Sequence, residues 1–126
     1  MKKLIFDTDV LIDILKNNRK TIEQVRQLTQ EAEELYCSTI NLAEIFAGMR
    51  PNEEGQTKQL LEGLSYFDVI IQVAELAGRM KFKTKTHTLW LDDCLIAATA
   101  ILNECILVTK NIKHYPFSAL KLAKIE

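Results

Sequence analysis

Acidic residues stand at positions of this sequence where a buried carboxylate is costly unless it has a partner. Asp7 directly follows the apolar run Leu-Ile-Phe, which predicts a buried strand at 4–6. A carboxylate at the end of such a strand loses hydration, so it needs a cation or hydrogen-bond donors to offset that loss. We therefore predict a functional role for Asp7.

Asp9 and Glu44 each admit a structural role beside a functional one. Asp9 suits the N-cap of a helix that begins at Val10. Glu44 has the spacing of a capping box with Asn41. The helix that carries Glu44 follows a second predicted strand, however, so its first turn also faces the carboxyl end of that strand. For Glu44 both interpretations stay open.

Asp92 and Asp93 open the most apolar helix predicted in the chain. Acids in a first helical turn are favoured by the helix dipole, which explains one of the pair without any chemistry. Neighbouring helical residues project about 100° apart, so we expect only one of the two carboxylates to face inward. Asp93 is closer to the apolar segment 95–98 and is the better inward candidate.

A further predicted strand ends at Thr109, and Asn111 follows it, which brings more polar groups to the same edge. Asp7, Glu44 and Asp93 thus converge from three segments, and converging carboxylates repel unless they share a proton or bind a cation. Ligand sets made only of oxygen atoms suit Mg²⁺ or Mn²⁺. We expect the three carboxylates to lie within reach of one such ion.

The elements that position these side chains alternate between strands and helices. Short apolar runs predict strands at 4–6, 35–38, 66–70, 106–109 and 120–125. Helical spacing and composition predict helices at 10–15, 21–34, 41–49, 56–64, 73–82 and 91–103. This alternation indicates an α/β fold, a three-layer α/β/α sandwich around a mostly parallel sheet of four to five strands. Ligands of such folds bind at the carboxyl ends of the strands.

The chain of 126 residues has the length of a single domain, residues 1–126. Sixteen Lys and Arg against seventeen Asp and Glu give a net charge of −1, which excludes a nucleic-acid binder that acts through bulk charge. Contact with RNA needs a local basic patch. The candidate is an alternating series that is also typical of a solvated helix face, namely Arg79, Lys81, Lys83 and Lys85.

The cysteines, the histidines and the apolar runs further narrow the class of protein. The three cysteines have no C-x-x-C spacing. Cys37 and Cys105 lie in apolar runs, which predicts that these two are buried free thiols. His87 and His114 lack metal-ligand spacing with any cysteine, so we expect no zinc and little from the histidines. Acids follow the first apolar run too soon for a signal peptide, and no run approaches the roughly eighteen apolar residues of a membrane span. We expect a soluble, cytoplasmic protein.

Four segments resemble the motifs of PIN domains, in the same order. Residues 4–13, Leu-Ile-Phe-Asp-Thr-Asp-Val-Leu-Ile-Asp, are similar to the opening motif, and residues 38–44 resemble the second. Residues 93–100 are close to the Asp-Ala-Leu-Ile-Ala-Ala-Thr-Ala run of VapC-type toxins, and residues 107–111 resemble the closing motif. Each motif alone is weak, but the four together span nearly the whole chain.

The resemblance implies an endoribonuclease that depends on Mg²⁺ or Mn²⁺. Asp7, Glu44 and Asp93 match the catalytic, metal-binding acids of the family. A fourth acid of many members is missing, and Asn111 stands near its place as a neutral ligand, with His114 close by. We therefore expect weaker metal binding rather than inactivity. The residues expected to orient the ligands are Thr8, Asp9 and Thr109.

The same resemblance implies three partners. These are an RNA substrate, a VapB-like antitoxin whose C-terminal segment fills a groove at the active site, and a second copy of the chain in a homodimer. No membrane contact is expected. Several apolar residues between 41 and 64 belong either to the core or to the dimer interface, namely Ile45, Phe46, Met49, Leu60 and Leu61.

Three other classes share some of these features. A receiver domain needs an acceptor Asp at the end of its third strand, whereas Asp68 falls inside the predicted strand 66–70, and no Lys-Pro pair follows the fifth strand. A phosphatase of the haloacid dehalogenase type follows its Asp-x-Asp with Gly-Thr or a similar pair, whereas Val10 and Leu11 follow here. A PIN-like module that binds without catalysis is the third.

Overall fold

The computed structural model describes residues 2–85 and 89–126 and contains one five-stranded sheet. Every strand pair is parallel, and the spatial order is β3-β2-β1-β4-β5. The predicted mostly parallel sheet of four to five strands is therefore confirmed. The strands are β1 (Lys2–Phe6), β2 (Ala32–Ser38), β3 (Ser65–Phe67), β4 (Ile106–Thr109) and β5 (Lys121–Lys124).

Six helices of the described chain cover both faces of this sheet. They are α1 (Thr8–Leu15), α2 (Arg19–Thr29), α3 (Thr39–Gly48), α4 (Glu54–Glu62), α5 (Ile71–Lys83) and α6 (Leu91–Leu102). Successive strand residues point to opposite faces, so Leu4 and Phe6 pack with α1 to α4 while Ile5 packs with α6. The result is the predicted α/β/α sandwich.

Helix α6 lies close against the sheet because its inward residues are small. Ala97 and Ala100 are fully buried in the cluster that contains Ile5 of the central strand. Cys94 and Ala98 pack instead against α5. The dense packing of α6 fixes its N-terminus, which carries two acids, at the carboxyl edge of the sheet.

Several predicted boundaries differ from the structure, and two of these differences change the bounds of strands. The helix predicted at 21–34 ends at Thr29, and β2 begins at Ala32, because pairing with β1 extends the strand into a polar segment that alone favours a helix. Strand β3 ends at Phe67, so Asp68 follows the strand instead of lying inside it. Strand order, rather than the position of Asp68, distinguishes this chain from receiver domains. Receiver domains have a flavodoxin-like sheet with the strand order 2-1-3-4-5, whereas the order here is 3-2-1-4-5.

Two further sequence-based expectations concern the cysteines and membrane-spanning helices. Cys37 and Cys105 are buried free thiols, as predicted, and Cys94 is a third. Within residues 2–85 and 89–126, no helix combines the length and the apolar composition that crossing a bilayer requires.

Candidate metal centre

The carboxyl ends of β1, β2 and β4 meet at one edge of the sheet, beside the N-terminus of α6. A cavity of about 400 Å³ opens there, which we call the acidic cavity. It brings together the predicted Asp7, Glu44, Asp93 and Asn111. The lining residues are Asp7, Thr8, Asp9, Ile12, Glu44, Trp90, Asp92, Asp93, Asn111 and His114.

Asp7 is held by donors from three parts of the chain. Its Oδ1 accepts a 2.8 Å hydrogen bond from the backbone N–H of Thr8, which makes Asp7 the N-cap of α1. Its Oδ2 accepts from the hydroxyls of Thr109 at 2.9 Å and Tyr115 at 2.8 Å. These bonds offset the desolvation of a carboxylate that is only 8% exposed.

Asp9 does not cap a helix, because α1 begins at Thr8 and Asp7 fills the capping position. Its Oδ2 accepts a 3.3 Å hydrogen bond from the backbone N–H of Lys110, while its buried Oδ1 has no partner among the described residues. Burial and the neighbouring Asp7 raise the pKa of Asp9 to about 6. An unpartnered carboxylate oxygen in a cavity of acids is suited to a cation.

Glu44 is not part of a capping box, since the box at the start of α3 is formed by Ser38 and Asn41. The Oε1 of Glu44 accepts a 2.6 Å hydrogen bond from the hydroxyl of Thr8. The same hydroxyl accepts from the Asn41 side-chain amide at 2.9 Å. The pKa of Glu44 is raised to about 7, mainly by burial. A hydrogen bond with Asp92 and repulsion between the two carboxylates raise it further.

Asp92 and Asp93 both line the acidic cavity, so the expectation that only one faces inward is wrong. The cavity lies over the N-terminus of α6, where neighbouring first-turn side chains reach the same space despite their angular separation. Asp92 Oδ1 accepts from the backbone N–H of Asp93 at 3.0 Å. Burial and the neighbouring Asp92 raise the pKa of Asp93 to about 6.

His114 lies in the cavity, contrary to the expectation that the histidines contribute little. Its Nε2 is 3.0 Å from Asn111 Nδ2, and its Nδ1 is 3.9 Å from Asp93 Oδ2. The spacing of Asn111 and His114 after the last motif strand is the signal that could have identified it. His87, the other histidine of the sequence, lies outside the described residues.

The acidic cavity contains carboxylate and amide oxygens, which are the kind of ligand that a hard divalent cation prefers. In the described part of the chain, no three His, Cys, Asp or Glu side chains are arranged to hold one metal ion as they stand. Asp7, Glu44 and Asp93 therefore do not form a closed site without side-chain movement, and the expectation of a shared ion is not met in this conformation. The pKa values of Asp9, Glu44 and Asp93 are raised mainly by burial, and neighbouring carboxylates add to the shift. A cation in the cavity would relieve both effects, because it stabilises the ionised carboxylates.

The predicted basic series lies on and just after α5, outside the lining of the acidic cavity. Arg79 forms an exposed 3.0 Å ion pair with Glu75. The Nζ of Lys81 donates to the carbonyl oxygen of Leu89 at 2.8 Å. Lys85 sits over the ring of Phe82, and Lys83 completes the last turn of α5.

A second groove, of about 370 Å³, adjoins the acidic cavity and shares Ile12 and Glu44 with it. We call it the α1–α3 groove, because residues of those helices form much of its wall. Of the apolar residues predicted between 41 and 64, Ile45 and Leu61 belong to the core. Phe46 is exposed.

Comparison with known proteins identifies the family. The PIN domain profile matches residues 4–119, and the chain belongs to the PIN domain family. Two similar proteins from Mycobacterium tuberculosis are Ribonuclease VapC10 and Ribonuclease VapC19. VapC10 is 30% identical over 121 residues, which cover 94% of this chain and 90% of the relative. VapC19 is 27% identical over 114 residues, which cover 89% and 91%.

Solved structures share the fold. A VapBC2 complex from Rickettsia felis, bound to a DNA fragment from its promoter, has a TM-score of 0.84 at 21% identity, with 98% of this chain and 99% of the other covered. A toxin–antitoxin complex from Klebsiella pneumoniae has a TM-score of 0.78 at 24% identity, with 96% of each chain covered. At these identities the likeness establishes the fold alone.

Proposed function

We propose that this protein is a divalent-metal-dependent endoribonuclease and the toxin of a VapBC-type toxin–antitoxin pair. One observation carries the proposal: five carboxylates line a single cavity at the carboxyl edge of a PIN-domain sheet. They are Asp7, Asp9, Glu44, Asp92 and Asp93. Two relatives similar over most of the chain are ribonucleases by name, which supports the same activity here.

We assign metal binding to Asp7, Glu44 and Asp93, with the amide oxygen of Asn111 as a neutral fourth ligand. The unpartnered Oδ1 of Asp9 is a further oxygen donor within the same cavity. Hard oxygen ligands favour Mg²⁺ or Mn²⁺. When bound, such an ion promotes the deprotonation of water and offsets the negative charge that develops on the phosphate.

The chain's own contribution is to orient two of these carboxylates, Asp7 and Glu44, through hydrogen bonds. Thr109 and Tyr115 fix one oxygen of Asp7, so its orientation is set by two hydroxyl groups. Thr8 fixes Glu44 and is itself fixed by Asn41. Such outer hydrogen bonds orient metal ligands and strengthen binding.

We propose that RNA enters past the basic end of α5. The net charge of −1 means that the chain as a whole does not attract RNA, so phosphate contacts need a local group of cations. The candidates are Arg79, Lys81, Lys83 and Lys85. The exposed Arg79–Glu75 pair contributes little to stability and is free to exchange for a phosphate.

The proposed partners are a VapB-like antitoxin and a second copy of the chain. The α1–α3 groove adjoins the acidic cavity, so an antitoxin segment bound there would also block access to Glu44. For the homodimer, Ile71 and Phe82 on α5 are 84% and 77% exposed, whereas Ile45 and Leu61 are buried. A toxin that acts on cellular RNA is expected in the cytoplasm.

The test is cleavage of generic RNA by the purified, antitoxin-free protein. We expect cleavage with Mn²⁺ or Mg²⁺, none with EDTA, and none by Asp7→Asn. Asp68→Asn is the matched control, because Asp68 also follows a strand but is exposed and outside the cavity lining. RNA binding without cleavage would favour a non-catalytic PIN-like module. Hydrolysis of a small phosphoester, or phosphate transfer from acetyl phosphate, without RNA cleavage would favour the phosphatase or receiver class.

A further inference from the structure

Trp90, the chain's one tryptophan, stands at the wall of the acidic cavity. It is 66% exposed, although indole is among the most apolar of side chains. It occupies the N-cap of α6 without a side-chain capping hydrogen bond. Ser, Thr, Asp or Asn at this position would stabilise the helix. Trp90 therefore contributes neither a cap nor full burial to the fold.

The backbone that carries Trp90 is anchored on both sides. Leu89 is 4% exposed and packs between α5 and α6. Its carbonyl oxygen accepts the hydrogen bond from Lys81 Nζ, and the carbonyl oxygen of Trp90 accepts from the backbone N–H of Cys94 at 3.2 Å. The indole is thus presented at the cavity by ordered structure.

Two kinds of charge surround this position. Asp92 and Asp93 follow Trp90 after one intervening residue, Leu91, and line the same cavity. The cation of Lys81 is bonded to the residue before Trp90. An exposed aromatic ring at the wall of a proposed phosphate-cleaving centre suits a nucleotide, whose base stacks on the ring while its phosphate lies at that centre.

We propose that Trp90 is a stacking platform for an unpaired nucleobase of the RNA that enters the acidic cavity. This inference rests on the proposed ribonuclease function and adds to it a residue of this chain that would contact a base of the substrate. Bases within a duplex are already stacked on their neighbours and do not offer a face to the indole. An apolar protein segment is disfavoured here because its docking would bury the neighbouring carboxylates.

Because Trp90 is the chain's one tryptophan, its fluorescence reports on this position alone. The Asp7→Asn variant, in which cleavage is expected to be lost, is titrated in Mg²⁺ with a short single-stranded RNA of mixed sequence. We expect quenching of the tryptophan emission. A matched duplex, and an oligonucleotide of equal charge with abasic sites, should leave the emission nearly unchanged.

Affinity is measured in parallel by the anisotropy of a labelled strand. In the same Asp7→Asn background, Trp90→Leu should weaken binding about ten-fold, whereas Trp90→Phe should retain most of the affinity. Phe46→Leu is the matched control, because Phe46 is exposed on α3 and lines a different pocket.

Each contrary result has a distinct meaning. RNA that binds without quenching, or binds Trp90→Leu as tightly as the parent, overturns the stacking role and leaves the ribonuclease proposal intact. Equal quenching by duplex and abasic strands also overturns it. Failure of any RNA to bind, together with absent cleavage by the unmodified protein, overturns both proposals.

Discussion

The hydroxyl of Tyr115 donates a 2.8 Å hydrogen bond to Oδ2 of Asp7, across 108 positions of sequence. Tyr115 is 2% exposed, and burial together with the charge of Asp7 raises the pKa of its phenol, so the group remains a donor at neutral pH. Thr109 donates to the same oxygen. The orientation of the proposed first metal ligand therefore depends on a residue that follows the last motif.

Tyr115→Phe tests this dependence, because it removes one hydroxyl and keeps the ring. We expect Mn²⁺ affinity, measured by calorimetry, to fall about ten-fold. The free energy of unfolding of the metal-free protein should fall by about 1 kcal/mol. Tyr66→Phe is the control, since it removes a hydroxyl that donates to the carbonyl oxygen of Leu61, away from the cavity. Equal Mn²⁺ affinity of both variants would show that Tyr115 does not position Asp7.

Substitutions should distinguish the acids that bind the metal ion from those that only lie near it. We expect Asp7→Asn, Glu44→Gln and Asp93→Asn each to lower the cleavage rate by more than about 100-fold, beyond the range typical of outer partners. Thermal stability should stay the same or rise for Glu44→Gln and Asp93→Asn, because each change relieves repulsion. It should fall for Asp7→Asn, because the amide has only one acceptor oxygen for the three hydrogen bonds that Asp7 accepts. Asp92→Asn should lower the rate much less. An equal loss at Asp92 and Asp93, measured in single-turnover assays, would make both residues ligands.

The family resemblance implies that Asn111 stands where many PIN domains carry a fourth acid, so we expect its neutral amide to leave the site with less negative charge. Asn111→Asp should tighten Mn²⁺ or Mg²⁺ binding about ten-fold, since attraction for a divalent ion rises with ligand charge. It should also lower the metal concentration that gives half-maximal cleavage. His114→Asn serves as a control for the contact between Asn111 and His114. Indistinguishable affinities of wild type and Asn111→Asp would leave Asn111 as a residue that only ends the strand.

The metal-free protein should lose stability as pH rises towards neutrality. Glu44 has a pKa of about 7 in the fold against an ordinary 4.5, so the folded state binds the proton more tightly than the unfolded state. The stabilisation by that proton is complete below the unfolded value and is lost as pH rises through the folded one. Asp9 and Asp93 act in the same direction.

Thermal melts in EDTA from about pH 5 to about pH 8 measure this effect. The melting temperature should fall with pH in wild type and fall less in Glu44→Gln, which cannot ionise. Saturating Mn²⁺ should reduce the loss, because the ion binds the ionised carboxylates. Parallel curves for wild type and Glu44→Gln would contradict the raised pKa of Glu44.

The sequence predicted elements well where apolar runs are continuous and poorly where distant pairing decides the structure. The strand at 106–109 and the helix from Leu91 agree closely with β4 and α6. The start of β2 was missed because its polar residues favour a helix until β1 pairs with them.

Tyr115 could not be predicted as part of the site. It reaches Asp7 only through the turn Ile112–His114, which follows β4. That turn leaves no periodic signal in the sequence. Capping by Asp7 instead of Asp9 likewise depends on where α1 begins, a boundary that helical spacing locates only to within a few residues.

We propose that Asp7, Glu44 and Asp93 close around a divalent ion, although they do not form a closed site as they stand. Anomalous diffraction from crystals grown with Mn²⁺ is the decisive experiment. We expect a manganese peak inside the acidic cavity, with carboxylate oxygens of all three residues at coordination distance. A peak held by other residues, or no peak in the cavity at saturating Mn²⁺, would contradict it.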